Sequence, residues 1–154
     1  MSRDRAIVVR ASDARRLSLG SMELAFHAGD DESEGAYALA FVTAGPSEPG
    51  TTPHVHREHD DVTFVIEGAL TFDVAGETFE APARTLVIVP RGLSHRWWNA
   101  REENATFLNI HVPGFGFETL VHGLVGASRE GMAELGARHD TFFDRDALAA
   151  RYDR

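Results

Sequence analysis

The sequence contains no cysteine, and its basic residues are few. The missing thiols exclude disulfides, thiolate metal ligands and a cysteine nucleophile. There are 15 Lys and Arg against 24 Asp and Glu, which gives a formal net charge of −9. Because phosphate binding needs Lys and Arg on one face, this balance argues against nucleic-acid binding and against attraction to anionic lipid.

Long apolar runs are also missing. No window approaches the length of a membrane span. The N-terminal stretch MSRDRAIVVRASDARR has too short an apolar run for a signal peptide, and charges flank that run closely. We therefore expect a soluble, cytoplasmic protein. The 154 residues, 43% of them apolar, are typical of one domain with a sizeable core.

Most of the chain reads as short β-strands. Apolar and polar residues alternate in segments that Gly or Pro separates, which is typical of a sandwich or barrel. The segments are SMELAFHAG, AYALAFVTAG, DVTFVIEG, ALTFDVAG, ETFEA, RTLVIVPRG, HRWWNA and TFLNIHVPG. The acidic stretch GDDESEG between the first two is expected to be a loop.

The pattern changes near the C-terminus. The segment GFETLVHGLVG carries apolar residues at helical spacing, namely Phe117, Leu120, Val121 and Leu124. The segment DRDALAARYDR begins with an Asp that can cap a helix. The sequence therefore predicts two short helices in this tail.

Candidate metal ligands concentrate in TTPHVHREHDDVTFVIEG. His54 and His56 are two residues apart, which places both rings on one face of a strand. Imidazole is the commonest protein metal ligand, and a nearby carboxylate would complete a site. Such a pair is weak evidence by itself, because surface histidine pairs also arise by chance.

A second stretch, VPRGLSHRWWN, strengthens the interpretation. Together the two stretches resemble the two-part motif of the cupin family. His54, His56 and Gly68 fit its first part, and the second part is fitted by Pro90, Gly92, His95 and Asn99. The resemblance spans about residues 37–114. It implies an all-β cupin (jelly-roll) barrel as one domain over 1–154, with a helical tail over about 115–154, and it implies a homodimer.

Three positions depart from the family pattern. The motif's Glu falls on Asp61, its second-part Gly falls on Arg84, and three residues rather than five separate Gly50 from His54. Arg tolerates a positive φ less well than Gly, so the turn at residue 84 could differ. Asp is one methylene shorter than Glu. The strand could shift inward, the carboxylate could bind through water, or three histidines could bind with a weak fourth ligand.

Strand parity identifies further site candidates. His59 shares a face with Asp61, and either orients a ligand by a hydrogen bond or lies solvated at the barrel mouth. Asn109 and His111 share a face opposite aliphatic residues, so either could bind substrate or move protons, although a structural histidine is a comparable interpretation. Trp97 shares a face with His95 and lines the pocket or belongs to the ordinary core. The expected substrate contacts are Thr63, Trp97, Phe107, Asn109 and His111.

The resemblance implies that one divalent transition metal (Fe, Mn, Ni or Zn) is held by His54, His56, Asp61 and His95. It is strongest with the quercetin-dioxygenase-like cupins, so the first interpretation is a dioxygenase acting on a small aromatic or apolar molecule, with Asp61 and His111 as catalytic candidates. A redox-neutral cyclase, isomerase or lyase is the alternative. A non-catalytic small-ligand-binding protein is a third possibility, because fold does not determine function.

Overall fold

A computed structural model describes residues 4–152, and it consists mainly of short antiparallel strands. In chain order the strands are β1 (Arg15–Leu19), β2 (Met22–Ala28), β3 (Ala38–Ala44), β4 (His54–Val55), β5 (Asp60–Glu67), β6 (Ala69–Val74), β7 (Glu77–Pro82), β8 (Leu86–Val89), β9 (His95–Trp98), β10 (Ala105–Val112) and β11 (Phe142–Phe143). The helices are α1 (Asp30–Ser33), α2 (Phe117–Leu124), α3 (Arg129–Arg138) and α4 (Arg145–Tyr152).

The strands form two sheets with the order β1-β2-β3-β10-β5-β8 and β11-β4-β9-β6-β7. The core lies between them and includes Phe26, Val65, Leu70, Phe72 and Phe107. This confirms the predicted all-β cupin jelly roll with short C-terminal helices. β1 and β2 belong to the first sheet although they precede the region that the resemblance covers.

The inner face of β3 is lined by small side chains. On β3 the inward residues are Ala38, Ala40, Val42 and Ala44, all buried, whereas Leu39 and Phe41 are only half-buried on the outer face. Small residues on the inner face of a barrel leave space that larger ones would fill. The barrel is therefore hollow near its middle.

The helical tail differs in part from the prediction. α2 matches its predicted segment, and Asp144 caps α4 by accepting a hydrogen bond from the amide of Ala147 at 2.8 Å. The prediction of only two helices was wrong, because α3 lies between them. Two glycines within α3 lower its helix propensity, which explains the weak signal in the sequence. The predicted acidic loop also contains the single turn α1.

At two of the positions that depart from the family pattern, the backbone has the positive φ that is usual for glycine. Arg84 has a φ of +70°, so it adopts the left-handed conformation usual for the Gly that it replaces. Gly50 has a φ of +65°, and a Cβ there would lie 1.7 Å from the carbonyl oxygen of Trp97. Gly50 therefore allows the loop before β4 to lie directly on β9.

Within residues 4–152, no helix has both the length and the apolar character needed to span a membrane.

Candidate metal centre

Four predicted ligands meet inside the barrel. His54 on β4 is paired directly with His95 on β9, and His56 immediately follows β4. Asp61 on β5 faces them from the other sheet, beside His111 on β10. One ligand atom from each of His54, His56, Asp61 and His95 lies within 4.8 Å of the others, and all four residues are buried. The structure thus brings the whole predicted set together.

The three rings are oriented by the backbone. In each ring Nδ1–H donates to a carbonyl, which leaves Nε2 facing the common centre. The acceptors for His54, His56 and His95 are the carbonyls of Thr52, Asp140 and Leu93, at 2.8, 2.9 and 3.0 Å. Within the described residues 4–152, Nε2 of His56 is a fully buried polar atom without a hydrogen-bond partner. A buried orphan lone pair of this kind is what a metal ion would satisfy.

Asp61 reaches the centre despite its short side chain. Its Oδ2 lies 3.3 Å from Nε2 of His95 and 3.7 Å from Nε2 of His56. Its Oδ1 accepts a hydrogen bond from the amide of Asn109 at 2.6 Å. Ligand atoms bound at 2.0–2.2 Å from one ion lie roughly 3–3.5 Å apart, so these separations suit a shared ion. Three imidazoles and one carboxylate are a suitable donor set for a divalent transition metal.

The charges at this centre favour a cation. Burial lowers the pKa of His54 well below its ordinary value, so this ring is neutral and can coordinate. Burial opposes charge on His95 as well, but the hydrogen bond and charge of Asp61 outweigh it and raise the pKa of His95. Burial alone would raise the pKa of Asp61, yet the surrounding histidines hold that pKa well below its usual range. The buried Asp61 carboxylate therefore favours a positive charge at this centre.

A chain of hydrogen-bonding groups runs from Asp61 to Asp140. Beyond the Asp61–Asn109 bond, the Asn109 oxygen lies 2.9 Å from Nε2 of His111. Nδ1 of His111 lies 2.8 Å from Nε2 of His59, whose Nδ1 lies 2.7 Å from Asp140. These three ring contacts need three ring protons, whereas two neutral rings carry two. The chain can therefore accept one proton without moving a heavy atom.

The two rings of this chain are poor cations in isolation. Burial lowers the pKa of His59 to about 4, while its hydrogen bond to Asp140 acts in the opposite direction. Burial likewise lowers the pKa of His111 to about 3, with the charge of Asp61 opposing it. Both rings are thus neutral near pH 7 unless a neighbouring group supplies a proton.

A cavity of about 500 Å³ opens beside the four ligands. Trp97 and Phe107 form part of its wall, with ring centroids 4.9 Å apart in an edge-to-face arrangement. Asn109 and His111 also line it, as predicted from strand parity. Among the residues described, Thr63 does not line the cavity. It lies behind Asn109, whose amide is 3.4 Å from the Thr63 hydroxyl.

The tail closes one side of this cavity. The apolar face of α2 contributes Phe117, Leu120, Val121 and Leu124. The ring of Phe117 stacks on His111 with centroids 3.9 Å apart. The helical spacing predicted an apolar face for α2, but it did not identify the cavity as what this face contacts.

Two buried acidic residues at the site were missed by the sequence analysis. Glu48 lines the cavity and accepts hydrogen bonds from the Ser21 hydroxyl and from the amide of Gly50. Within residues 4–152 it forms no ion pair with Arg or Lys. Asp140 contacts His59 and His56 from 81 and 84 residues away in sequence. Neither residue stands in a pattern with periodicity or motif spacing, so no local signal could identify it.

Comparisons with known proteins agree with this geometry. The family model described as Cupin domain matches residues 40–111, which hold all four ligands. No curated protein sequence matches the chain. The comparisons therefore show a cupin-type segment over residues 40–111 and a cupin jelly-roll fold.

Several solved structures share the fold at low sequence identity. RemF, a polyketide cyclase from Streptomyces resistomycificus, is 18% identical, with a TM-score of 0.61 over 70% of this chain and 80% of its own. A protein from Thermotoga maritima, described as a predicted oxalate decarboxylase, is 20% identical, with a TM-score of 0.62 over 70% and 99%. The nucleoside dehydratase Pac13 of Streptomyces is 14% identical, with a TM-score of 0.59 over 74% and 88%. Identities this low establish the fold alone.

Proposed function

We propose that this protein is a metal-dependent enzyme acting on a small, apolar or aromatic molecule. One observation carries the proposal. The unpartnered Nε2 of His56 is grouped with the facing atoms of His54, Asp61 and His95, and His54, His56 and Asp61 line an apolar cavity of about 500 Å³. Perturbed titratable groups that converge beside an apolar pocket are typical of active sites.

The residues at the cavity would have different chemical roles. A divalent metal bound by the four ligands would supply Lewis acidity towards a substrate oxygen. His111 lines the cavity, and it could exchange a proton with a bound molecule if its Nε2 exchanged the contact with Asn109 for one with that molecule. Asn109 holds Asp61 at one end and faces His111 at the other. Trp97 and Phe107 would pack against the substrate and exclude water.

The hydrogen-bonded chain favours redox-neutral chemistry, such as cyclisation, isomerisation or elimination. These reactions move protons, and the path through His111 and His59 can take up a proton without rearrangement. Structurally similar proteins include a cyclase and a dehydratase, which is compatible with this choice. A dioxygenase is the second candidate, because a centre with open coordination positions facing an apolar cavity also suits O₂ chemistry.

The far end of the cavity suggests the shape of the substrate. Asn109 pairs with Ala40 near the metal ligands, while Ala44 lies near Ser21 and Glu48. The four residue steps from Ala40 to Ala44 span about 13 Å at roughly 3.3 Å each. A carboxylate can accept more hydrogen bonds than the two that Glu48 receives. We therefore favour an elongated substrate with a metal-binding oxygen at one end and a hydrogen-bond donor at the other.

Metal analysis followed by an oxygen measurement tests the proposal. The protein is purified without chelator, its metal content is determined, and it is incubated with a panel of phenolic and polyketide-like compounds. We expect one divalent metal per chain, product formation seen by mass spectrometry, and no O₂ uptake. O₂ uptake coupled to product would establish the dioxygenase instead. Binding without any turnover across the panel would contradict an enzymatic role. His95→Ala should abolish turnover, and His122→Ala, at an exposed histidine outside the site, serves as the matched control.

We also propose a homodimer formed through the outer face of the six-stranded sheet. Two cross-strand rows of apolar side chains cover this face: Phe41, Leu108, Phe64 and Leu86, and Leu39, Ile110, Val62 and Ile88. Leu86 and Ile88 are 54% and 58% exposed. A contiguous apolar surface of this kind is typical of a subunit interface.

The lack of cysteine is consistent with the cytoplasmic location that we propose for the protein.

A further inference from the structure

We propose that Asp140 is a positioning residue for the metal centre, so that the C-terminal tail completes a site whose ligands all lie in the barrel. The inference rests on the metal site of the proposed function. The segment that matches the cupin domain ends at residue 111, and Asp140 lies well outside it. Asp140 is buried, with 6% of its surface exposed.

The side chain of Asp140 collects four hydrogen bonds from the segment that follows His56. Its Oδ1 accepts from the amide of Arg57 at 3.0 Å. Its Oδ2 accepts from the amides of Glu58 and His59, at 2.8 and 3.1 Å, and from Nδ1 of His59 at 2.7 Å. A single carboxylate therefore fixes the backbone between two expected ligands, His56 and Asp61.

The main chain of Asp140 makes a separate contact with a ligand. Its carbonyl accepts the Nδ1–H of His56 at 2.9 Å, which aims Nε2 of that ring at the centre. Asp140 has a φ of +52°, a conformation that Asp tolerates better than most residues. With this backbone conformation, both the carbonyl and the carboxylate of Asp140 contact the same short segment of the barrel, residues 56–59.

The neighbouring tail residues hold Asp140 in place. The amide of Thr141 donates to the carbonyl of Gly136 at 2.8 Å, which ties the segment to α3. β11 pairs with β4, with Phe143 opposite His54. The tail thus contacts the H-x-H segment both along β4 and at His56, and Asp140 links the position of the tail to that of the His56 ring.

Asparagine cannot replace Asp140 without loss. All four groups at the carboxylate are N–H donors, and they are divided between its two oxygens. An Asn side chain has one oxygen, so its NH₂ group must face at least one N–H. The segment 57–59 would then move, together with the His56 ring that precedes it.

Asp140→Asn tests this directly, with Co²⁺ as the probe. Affinity is measured by competition with a chromophoric chelator, and ligand geometry is read from the visible absorption spectrum of the bound Co²⁺. We expect about a 10–100-fold loss of affinity, the range known for partners that orient metal ligands. We also expect a changed Co²⁺ spectrum, which a purely structural tail contact would leave unaltered. The matched control is Asp144→Ala, which removes the cap of α4 without touching the centre.

The outcomes are distinct. Unchanged Co²⁺ affinity and spectrum in folded Asp140→Asn would overturn the inference, and so would an equal loss in Asp144→Ala. If the wild-type protein binds no Co²⁺, the proposed metal function itself fails. Hydrogen exchange on the wild-type protein covers the case in which the variant does not fold. Co²⁺ should slow exchange in segments 56–60 and 139–143 together, and an unaffected 139–143 segment would contradict the inference.

Discussion

Replacing Asp61 with Asn should separate a direct ligand from a neighbouring acid. The two side chains have the same shape, so the fold should remain. Oδ2 of Asp61 lies 3.3 Å from His95 Nε2 and 3.7 Å from His56 Nε2, and the variant loses the negative charge at this position. Opposite unit charges about 4 Å apart interact by roughly 4 kcal/mol at an effective dielectric constant near 20. Since each 1.4 kcal/mol is about tenfold, we expect at least about a 100-fold loss of metal affinity.

The amide group introduced by Asp61→Asn should have a second effect. The Asn oxygen would rotate to accept from Asn109, as Asp61 does now at 2.6 Å. Its NH₂ group would then lie 3.7 Å from Nε2 of His56, and a shift of about 0.5 Å would let it donate to this ring nitrogen, which has no partner in the wild type. A newly satisfied buried acceptor recovers about 1–3 kcal/mol, although the charge pair with His95 is lost. The metal-free variant should therefore be close to the metal-free wild type in stability.

Thermal unfolding with and without metal measures both effects. Metal at about 1,000 times the wild-type Kd adds about 4 kcal/mol, and a domain of this size gains roughly 2–4 °C per kcal/mol. The expected rise in Tm is about 8–16 °C for the wild type. At the same metal concentration a 100-fold weaker variant gains only about 3–6 °C. A shift equal to that of the wild type would refute Asp61 as a ligand, and Asp61→Glu, which restores the family's residue, should keep most of the shift.

Four further predictions follow from the same geometry. His95→Ala should lose metal and turnover but remain folded in chelator, because the barrel has its own apolar core; circular dichroism and metal analysis check this, and an unfolded variant would make the metal structural. Trp97→Ala should lower the free energy of unfolding by about 3–5 kcal/mol and weaken the binding of aromatic ligands, measured by denaturant titration and calorimetry, whereas unchanged ligand affinity would remove Trp97 from the binding wall. The raised pKa of His95 means that its pair with Asp61 stabilises the metal-free protein below about pH 6.5 and is lost as pH rises through the higher folded-state pKa, while metal affinity rises over the same range; Tm against pH with and without metal should show opposite slopes, and parallel slopes would contradict the proton–metal competition. Ile88→Asp should convert the proposed dimer to a monomer in light scattering, and a dimer that persists would place the interface elsewhere.

The ligand set could be predicted from sequence because the two histidine-containing stretches resemble the cupin motif. Strand periodicity places His54 and His56 on one face, and the motif spacing, counted back from Gly68, places its acidic ligand at Asp61. What counting could not provide was the reach of the shorter side chain. That depends on the separation of the two sheets, which counting along the sequence does not give. The alternation in the β3 sequence indicated one face of large side chains and one of small side chains. It did not indicate that the small side chains point into the barrel.

The contributions of Asp140 and Glu48 could not be predicted for a different reason. Asp140 orients His56 through a carbonyl oxygen, a group that every residue carries, so the amino-acid identity holds no trace of that contact. Its side-chain contacts join segments 81–83 residues apart in sequence. Glu48 lies in a Gly- and Pro-rich loop, where an acidic residue is normally solvated. Only the folded chain shows that both are buried.

The unpartnered nitrogen of His56 connects stability with function in this protein. A buried imidazole nitrogen without a hydrogen bond costs about 1–3 kcal/mol, and the fold also carries the cost of burying the Asp61 carboxylate beside it. Both costs disappear when a divalent cation occupies the centre, because the same lone pairs then coordinate the ion. By holding the three rings in this arrangement, the backbone carbonyls therefore stabilise the metal-bound state relative to the metal-free state. Since the carbonyl that holds His56 belongs to Asp140, the tail contributes to this preference although it supplies none of the expected ligands.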